Sequence, residues 1–269
     1  MKFKFGYLLF GRRCVGCGRL IDLLSEENLC GGCLSNLTDI SGNVYRVSDT
    51  DCFFAAYAYS GRMTHILRRI KSVRDDEACD VLARLLFSKM SNREEYLSAD
   101  MVVCVPRYAK EGTRGPIYNL SAELARRVAG FIGAEFCPDV LVKRRNVRSQ
   151  TSCSKRAVRL LNVKGAFDLN KEHDISGRRI LLVDDIYTTG ATLSECAGAL
   201  RKGNPGLICA AAVAHGVYLR GSFEDFCVNK DDSVGYDISG MDMEQVRRRY
   251  SRYQRFKEFY AKLTGRKHG

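Results

Sequence analysis

The chain has 269 residues, of which 45% are apolar, which suffices for one moderate globular domain with appendages or for two small domains. No apolar run approaches the roughly 20 residues of a membrane-spanning helix, so no membrane span is expected. A formal charge of +12, from 43 Lys and Arg against 31 Asp and Glu, calls for anionic partners.

The first ten residues hold a weak apolar patch, which Arg12, Arg13 and Cys14 end at once. This is too little for a secretory signal, and a cytoplasmic protein is expected. Cys14-Val15-Gly16-Cys17 and Cys30-Gly31-Gly32-Cys33 then form two Cys-x-x-Cys knuckles separated by twelve residues. Each knuckle can turn two thiolates toward one cation, and the glycines at 16, 18, 31 and 32 allow the tight backbone this needs. Two such pairs make a closed, structural four-sulfur site with Cys14, Cys17, Cys30 and Cys33 as ligands. Zn2+ is the first choice, and iron or an iron–sulfur cluster is the alternative. A front module of residues 1–45 is too short to build its own core, so metal binding would supply its folding energy, roughly 10–16 kcal/mol in model peptides. The other eight cysteines (52, 79, 104, 137, 153, 196, 209 and 227) are scattered and read as small core hydrophobes.

Residues 46–215 read as an α/β domain. Phe53 to Tyr59 has the pattern of a strand ended by Ser60-Gly61, and Met63, Ile66, Leu67 and Ile70 have helical spacing. A second helix is expected from about Glu77 to Met90, a buried strand over Asp100 to Pro106, an amphipathic helix over Leu120 to Ile132 and a short strand over Val140 to Val142. Strands alternating with helices indicate a parallel sheet. An arginine-rich stretch follows, and between Arg107 and Lys164 thirteen Lys and Arg stand against four Asp and Glu.

The run from Arg178 to Thr192 is the most telling part of the chain. Ile180 to Val183 reads as a strand buried on both faces, with Asp184 and Asp185 at its carboxyl end, where open α/β sheets bind their ligands. The loop Thr188-Thr189-Gly190 then leads into a helical pattern over Leu193 to Leu200 and can offer hydroxyls and amides to a phosphate at a helix N-terminus. Carboxylates that accept from a sugar diol, beside such a cradle, describe a pocket for a phosphorylated ribose.

Residues 216–269 form a C-terminal extension: a loop-rich stretch to Gly240, then a basic amphipathic helix. From Met241 to Gly269, nine Lys and Arg stand against three acids. Val246, Tyr250, Tyr253, Phe256, Phe259 and Tyr260 can pack this helix onto the body; the interleaved aromatics also suit stacking on single-stranded nucleic acid.

The run 178–192 closely resembles the signature of type I phosphoribosyltransferases, which bind 5-phosphoribosyl 1-pyrophosphate (PRPP). The resemblance implies that Asp184 and Asp185 hold the ribose 2′- and 3′-hydroxyls as the catalytic pair. It implies also that Thr188, Thr189, Gly190, Ala191 and Thr192 hold the 5′-phosphate, and that Mg2+ accompanies PRPP. The wider order is a four-cysteine front, Tyr59-Ser60-Gly61-Arg62 opening a helix that reaches Arg69-Ile70-Lys71, Val105-Pro106, Arg114-Gly115 with Asn119, a basic loop with Gln150, then Arg159, Asn162, Ala166 and Phe167. This order is similar to that of the ComF/GntX family of competence-associated proteins, over about residues 12–215.

The implied fold is that of type I phosphoribosyltransferases, a parallel sheet flanked by helices, behind a zinc-ribbon-like module. Val105-Pro106-Arg107 falls at the pyrophosphate loop, and Lys143-Arg144-Arg145 through Gln150, Arg159, Asn162 and Phe167 at the mobile loop. Arg107 and Lys143 or Arg144 would offset pyrophosphate charge. The expected function is Mg2+-dependent phosphoribosyl transfer to an acceptor that no segment identifies. The alternative is a non-catalytic protein of DNA uptake, in contact with the uptake machinery, that handles single-stranded nucleic acid through the basic loop and the C-terminal helix and uses PRPP as a signal or not at all.

Overall fold

The computed structural model describes residues 11–22, 28–108, 118–145 and 163–216. Arg114, Gly115, Gln150, Arg159, Asn162 and the C-terminal extension beyond residue 216 lie outside the described residues.

At the front, β1 (Arg12–Arg13) and β2 (Leu20–Ile21) form a small antiparallel hairpin around the first knuckle, and α1 (Gly31–Ser35) begins at the second. The body then runs β3 (Cys52–Ala58), α2 (Gly61–Val73), α3 (Asp76–Met90), α4 (Glu94–Leu97), β4 (Met101–Cys104), α5 (Leu120–Ile132) and β5 (Glu135–Phe136). It continues with β6 (Leu141–Lys143), β7 (Phe167–Leu169), β8 (Arg179–Tyr187), α6 (Ala191–Arg201) and β9 (Leu207–His215). Local chemistry sets several of these boundaries. Asp75 caps α3 by accepting from the Ala78 N–H at 3.0 Å, with Asp76 and Glu77 favourably placed in the first turn. Gly133, at φ 72°, ends α5 in the left-handed conformation that glycine adopts without strain.

The main sheet has five parallel strands in the order β3-β9-β8-β4-β5. Leaving β4, the chain moves outward to β5; leaving β8, it moves the opposite way to β9. The reversal between β4 and β8 is the kind of switch point at which open α/β sheets leave a ligand crevice beyond their carboxyl ends. One face of the sheet packs on α2, α3 and α5, and the same core takes in Cys14, Val15, Leu29, Cys33 and Leu37 from the front. The other face packs on α6, on the antiparallel β6–β7 ribbon, and on Ile40, Tyr45 and Val47. Among the described residues, no helix is long and apolar enough to cross a membrane.

Two features depart from the sequence reading. The central strand β9 had no counterpart among the expected elements, because Leu207-Ile-Cys-Ala-Ala-Ala-Val-Ala-His215 is rich in alanine, which favours helices. Between β3 and β8, with both faces covered, small side chains are what the site admits. Cys52 and Cys209, read as small core hydrophobes, stand in register on β3 and β9 and form a disulfide. Parallel neighbours in register bring their Cα atoms to 4.8 Å, and sequence separation of 157 residues hid this. Cys79, Cys104, Cys137 and Cys196 are buried free thiols.

Candidate functional site

The apolar run Ile180 to Val183 buries β8 in the middle of the sheet and carries Asp184 and Asp185 out to its carboxyl end. Asp184 is 8% exposed and accepts from the Ser121 hydroxyl, on the first turn of α5, at 2.9 Å. It also accepts from the Asp185 N–H at 2.8 Å. Lys71 Nζ, from the last turn of α2, lies 2.6 Å from Asp185 Oδ2. Burial, then the charge of Asp185, push the Asp184 carboxyl up from its ordinary 3.8 to about 7, against the opposing pull of Ser121, the Asp185 amide and Lys71. Asp184 is therefore held protonated more readily than an ordinary aspartate, a direction common in functional carboxylate pairs.

Beyond the acids, Thr188 and Thr189 lead to Gly190, which caps α6 at φ 77°. A Cβ at Gly190 would meet the Tyr187 ring at 3.0 Å, so both backbone and space require glycine here. Gly190 provides no side-chain cap to α6, and first-turn amides of a helix have no intrahelical acceptors. The Ala191 N–H reaches Thr189 Oγ1 at 3.4 Å; the rest of the turn, with the positive end of the helix dipole, is suited to an anion. Tyr187 supports the loop from below, packed on Phe53, Tyr45 and His215.

The segment after β4 lies beside this seat. The Val105 N–H donates to Val183 O at 3.1 Å, and Asn119 Nδ2 donates to Val105 O at 2.9 Å. Asn119 thus fixes the turn that presents Pro106 and the exposed Arg107. The β6–β7 ribbon separates its two basic residues. Lys143 is half-buried over the Phe167 ring at 5.2 Å; burial lowers its pKa, Arg107 adds to that, and Cys196 and Asp184 oppose it. Arg144 is exposed and lies 3.9 Å from Asp168. Of the sequence candidates, the structure gathers Asp184, Asp185, the 188–192 loop, Arg107 and Lys143 at one end of the sheet, and directs Arg144 to Asp168.

Sequence reasoning missed Ser121, Lys71 and Tyr187. Ser121 had a usable signal, a polar residue on the apolar face that Leu120, Leu124 and Ala125 form. Lys71 stood in the Arg69-Ile70-Lys71 motif of the family order, but nothing local to that helix placed its side chain beside Asp185.

At the front, the ligand atoms of Cys14, Cys17, Cys30 and Cys33 all lie within 4.8 Å of one another. Tetrahedral coordination with Zn–S bonds of about 2.3 Å puts sulfurs about 3.8 Å apart, and Cys17 and Cys30 Sγ are separated by 3.8 Å. Burial raises the Cys14 pKa, but the amides of Cys30, Cys17 and Gly16 outweigh it and bring the thiol to about 6, which favours a thiolate. At Cys33, burial and the neighbouring thiols push the pKa up. A Cβ on Gly16 would meet Cys33 Sγ at 2.9 Å. The four sulfurs fit a closed zinc site.

Residues 78–223, more than half of the chain, match the model of the phosphoribosyl transferase domain. The chain belongs to the phosphoribosyl transferase domain family. Its parallel sheet, with helices on both faces, is the type I fold of that family. The DNA utilization protein YhgH of Salmonella typhimurium is 30% identical over 147 residues, covering 54% of this chain and 63% of the relative's length. Competence protein F of Haemophilus influenzae is 26% identical over 195 residues, covering 70% of this chain and 84% of the relative. These relatives agree with the resemblance to the ComF/GntX proteins. An adenine phosphoribosyltransferase from Thermoanaerobacter pseudethanolicus superposes with a TM-score of 0.35 at 15% identity, covering 56% of this chain and 84% of the other, a likeness too distant to bear on function.

Proposed function

We propose that this chain binds PRPP with Mg2+ and transfers its phosphoribosyl group to an acceptor, releasing pyrophosphate in the cytoplasm. The observation that carries the reading is the acidic pair at the sheet's switch point, followed at once by the Gly190 turn and the open first turn of α6. In this reading Asp184 and Asp185 accept from the ribose 2′- and 3′-hydroxyls, and their negative charge favours the cation-like carbon that forms as pyrophosphate leaves. The loop over Thr188 to Thr192 anchors the 5′-phosphate, so binding energy remote from the reacting carbon fixes its position. Lys143 and Arg107 offset charge on the departing pyrophosphate. Hard carboxylate oxygens beside a pyrophosphate suit Mg2+, which would neutralise phosphate charge when bound. The front module of residues 1–45 serves as a structural zinc knot on which α2 and α3 rest.

Calorimetric titration with PRPP, with and without Mg2+, tests the site. Replacing both acids (Asp184→Asn with Asp185→Asn) is expected to abolish Mg2+-dependent binding while the protein stays folded. Undiminished affinity in that double variant would refute the assignment.

The names of the relatives, together with the basic stretches at 107–164 and 241–269, support a second reading, a protein that handles single-stranded nucleic acid in DNA uptake. Pyrophosphate release with some acceptor favours the enzyme. Strand binding without turnover favours the alternative.

A further inference from the structure

Lys71 is a cation seated on the acidic pair. It stands near the C-terminal end of α2, ahead of the residues 78–223 that match the phosphoribosyl transferase domain. Its backbone is firmly placed. Met63, Ile66, Leu67 and Ile70 are fully buried on the face that packs on the sheet side of the core. Arg62 Nη1 donates to Gly16 O at 3.0 Å and ties the start of the same helix to the first cysteine knuckle. At the other end, the Arg74 N–H closes the helix on Ile70 O at 2.9 Å. The Lys71 side chain, 36% exposed, ends 2.6 Å from Asp185 Oδ2.

A site with two adjacent carboxylates faces a difficulty with a polyanionic ligand, since the acids repel each other and the incoming phosphates alike. Asp185 is only 16% exposed, so the Lys71 charge beside it is screened less than that of a surface pair. One ammonium on Oδ2 offsets part of the repulsion and fixes the rotation of the carboxylate. Oδ1 is then the acceptor left for a ligand hydroxyl. Asp184 is held by different means, the Ser121 hydroxyl and the Asp185 amide.

We propose that Lys71 is a positioning residue of the sugar-phosphate site, handed to it by a helix from outside the domain match and acting through Asp185. The inference rests on the PRPP reading. It makes the knuckle-braced front of the chain a contributor to the site.

The test is titration of the full-length protein with PRPP and Mg2+, and separately with ribose 5-phosphate, which carries the diol without the pyrophosphate. Lys71→Met is expected to weaken both ligands by about tenfold, and Lys71→Arg to restore most of the loss. In an Asp185→Asn background, Lys71→Met is expected to cost little further affinity, because the carboxylate it orients is gone. In unfolding experiments the same two substitutions should couple by about threefold in the folding equilibrium, as a part-buried ion pair does. Full affinity in Lys71→Met, or strictly additive losses in the double variant, overturns the role of Lys71 alone. Wild-type protein that binds neither ligand overturns the sugar-phosphate reading itself, and with it the inference.

Discussion

Asp184 is placed where burial and a neighbouring carboxylate both oppose its charge. With its pKa raised from 3.8 to about 7, the folded chain holds the proton more tightly than the unfolded chain. Its contribution to stability therefore falls as pH rises from about 4 to about 7, and the full cost stands above that range. At 1.36 kcal/mol per unit this amounts to at most about 4 kcal/mol. Asp184→Asn is expected to raise the unfolding midpoint at pH 8, with a gain that shrinks toward pH 4, while sugar-phosphate binding is lost. A variant less stable than wild type at pH 8 would show that the carboxylate is not strained. Gly190 presents the opposite case, in which the residue is required by shape. Gly190→Ala forces a left-handed backbone, at about 1–2 kcal/mol, and presses on Tyr187. Loss of stability together with loss of PRPP affinity is expected in denaturation and titration; wild-type behaviour in both would mean that the loop has another conformation.

Among the elements, the front knuckle is the one whose four cysteines could hold a metal ion. Its buried residues Cys14, Val15, Leu29 and Cys33 share a core with α2 and α3, so the consequences of losing the metal should spread. Cys14→Ser or Cys30→Ser is expected to remove bound zinc, measured by metal analysis, and to lower the unfolding temperature of the body as well as expose residues 12–35 to protease. Full metal occupancy in either variant would contradict the assignment. The helices were legible in the sequence because their signals are local. The apolar spacing of Met63, Ile66, Leu67 and Ile70 marks α2, whereas the cap at Asp75, which starts α3 ahead of the expected Glu77, is seen only in the structure. β9 was not legible, because alanine carries no strand signal of its own and its place between β3 and β8 is a fact of the sheet rather than of the segment.

The molecule as a whole integrates opposing responses to acid. His215, at the carboxyl end of β9, is 4% exposed, and its ring nitrogens find no hydrogen-bond partner among the described residues. Burial lowers its pKa from 6.5 to about 4, so the folded chain binds the proton less well than the unfolded chain. The stability it supports is complete above about pH 6.5 and is lost as pH falls toward 4, by about 3 kcal/mol at 1.36 kcal/mol per unit. Asp184 works the other way over an overlapping range. His215→Phe is expected to remove the acid-side loss and leave the gain from Asp184 visible in a pH series of unfolding midpoints. A profile identical to wild type would mean that His215 is solvated. The net charge of +12 also acts at this scale. If the basic tail contacts nucleic acid, a chain truncated after Gly240 should bind single strands more weakly and with a shallower salt dependence. Equal affinity and slope would assign the tail to packing.

The sequence by itself marked the candidate residues of the two sites. Two knuckles within twenty residues and an unbroken strand-acid-acid-loop-helix run each bring their groups together through local backbone geometry, which spacing alone dictates. Only the tertiary structure decided which distant groups join them. Lys71 on Asp185, Ser121 on Asp184, Lys143 toward the site with Arg144 turned to Asp168, and Cys52 against Cys209 all depend on strand order and helix placement. These are settled by burial across the entire sheet, to which each segment contributes only one face.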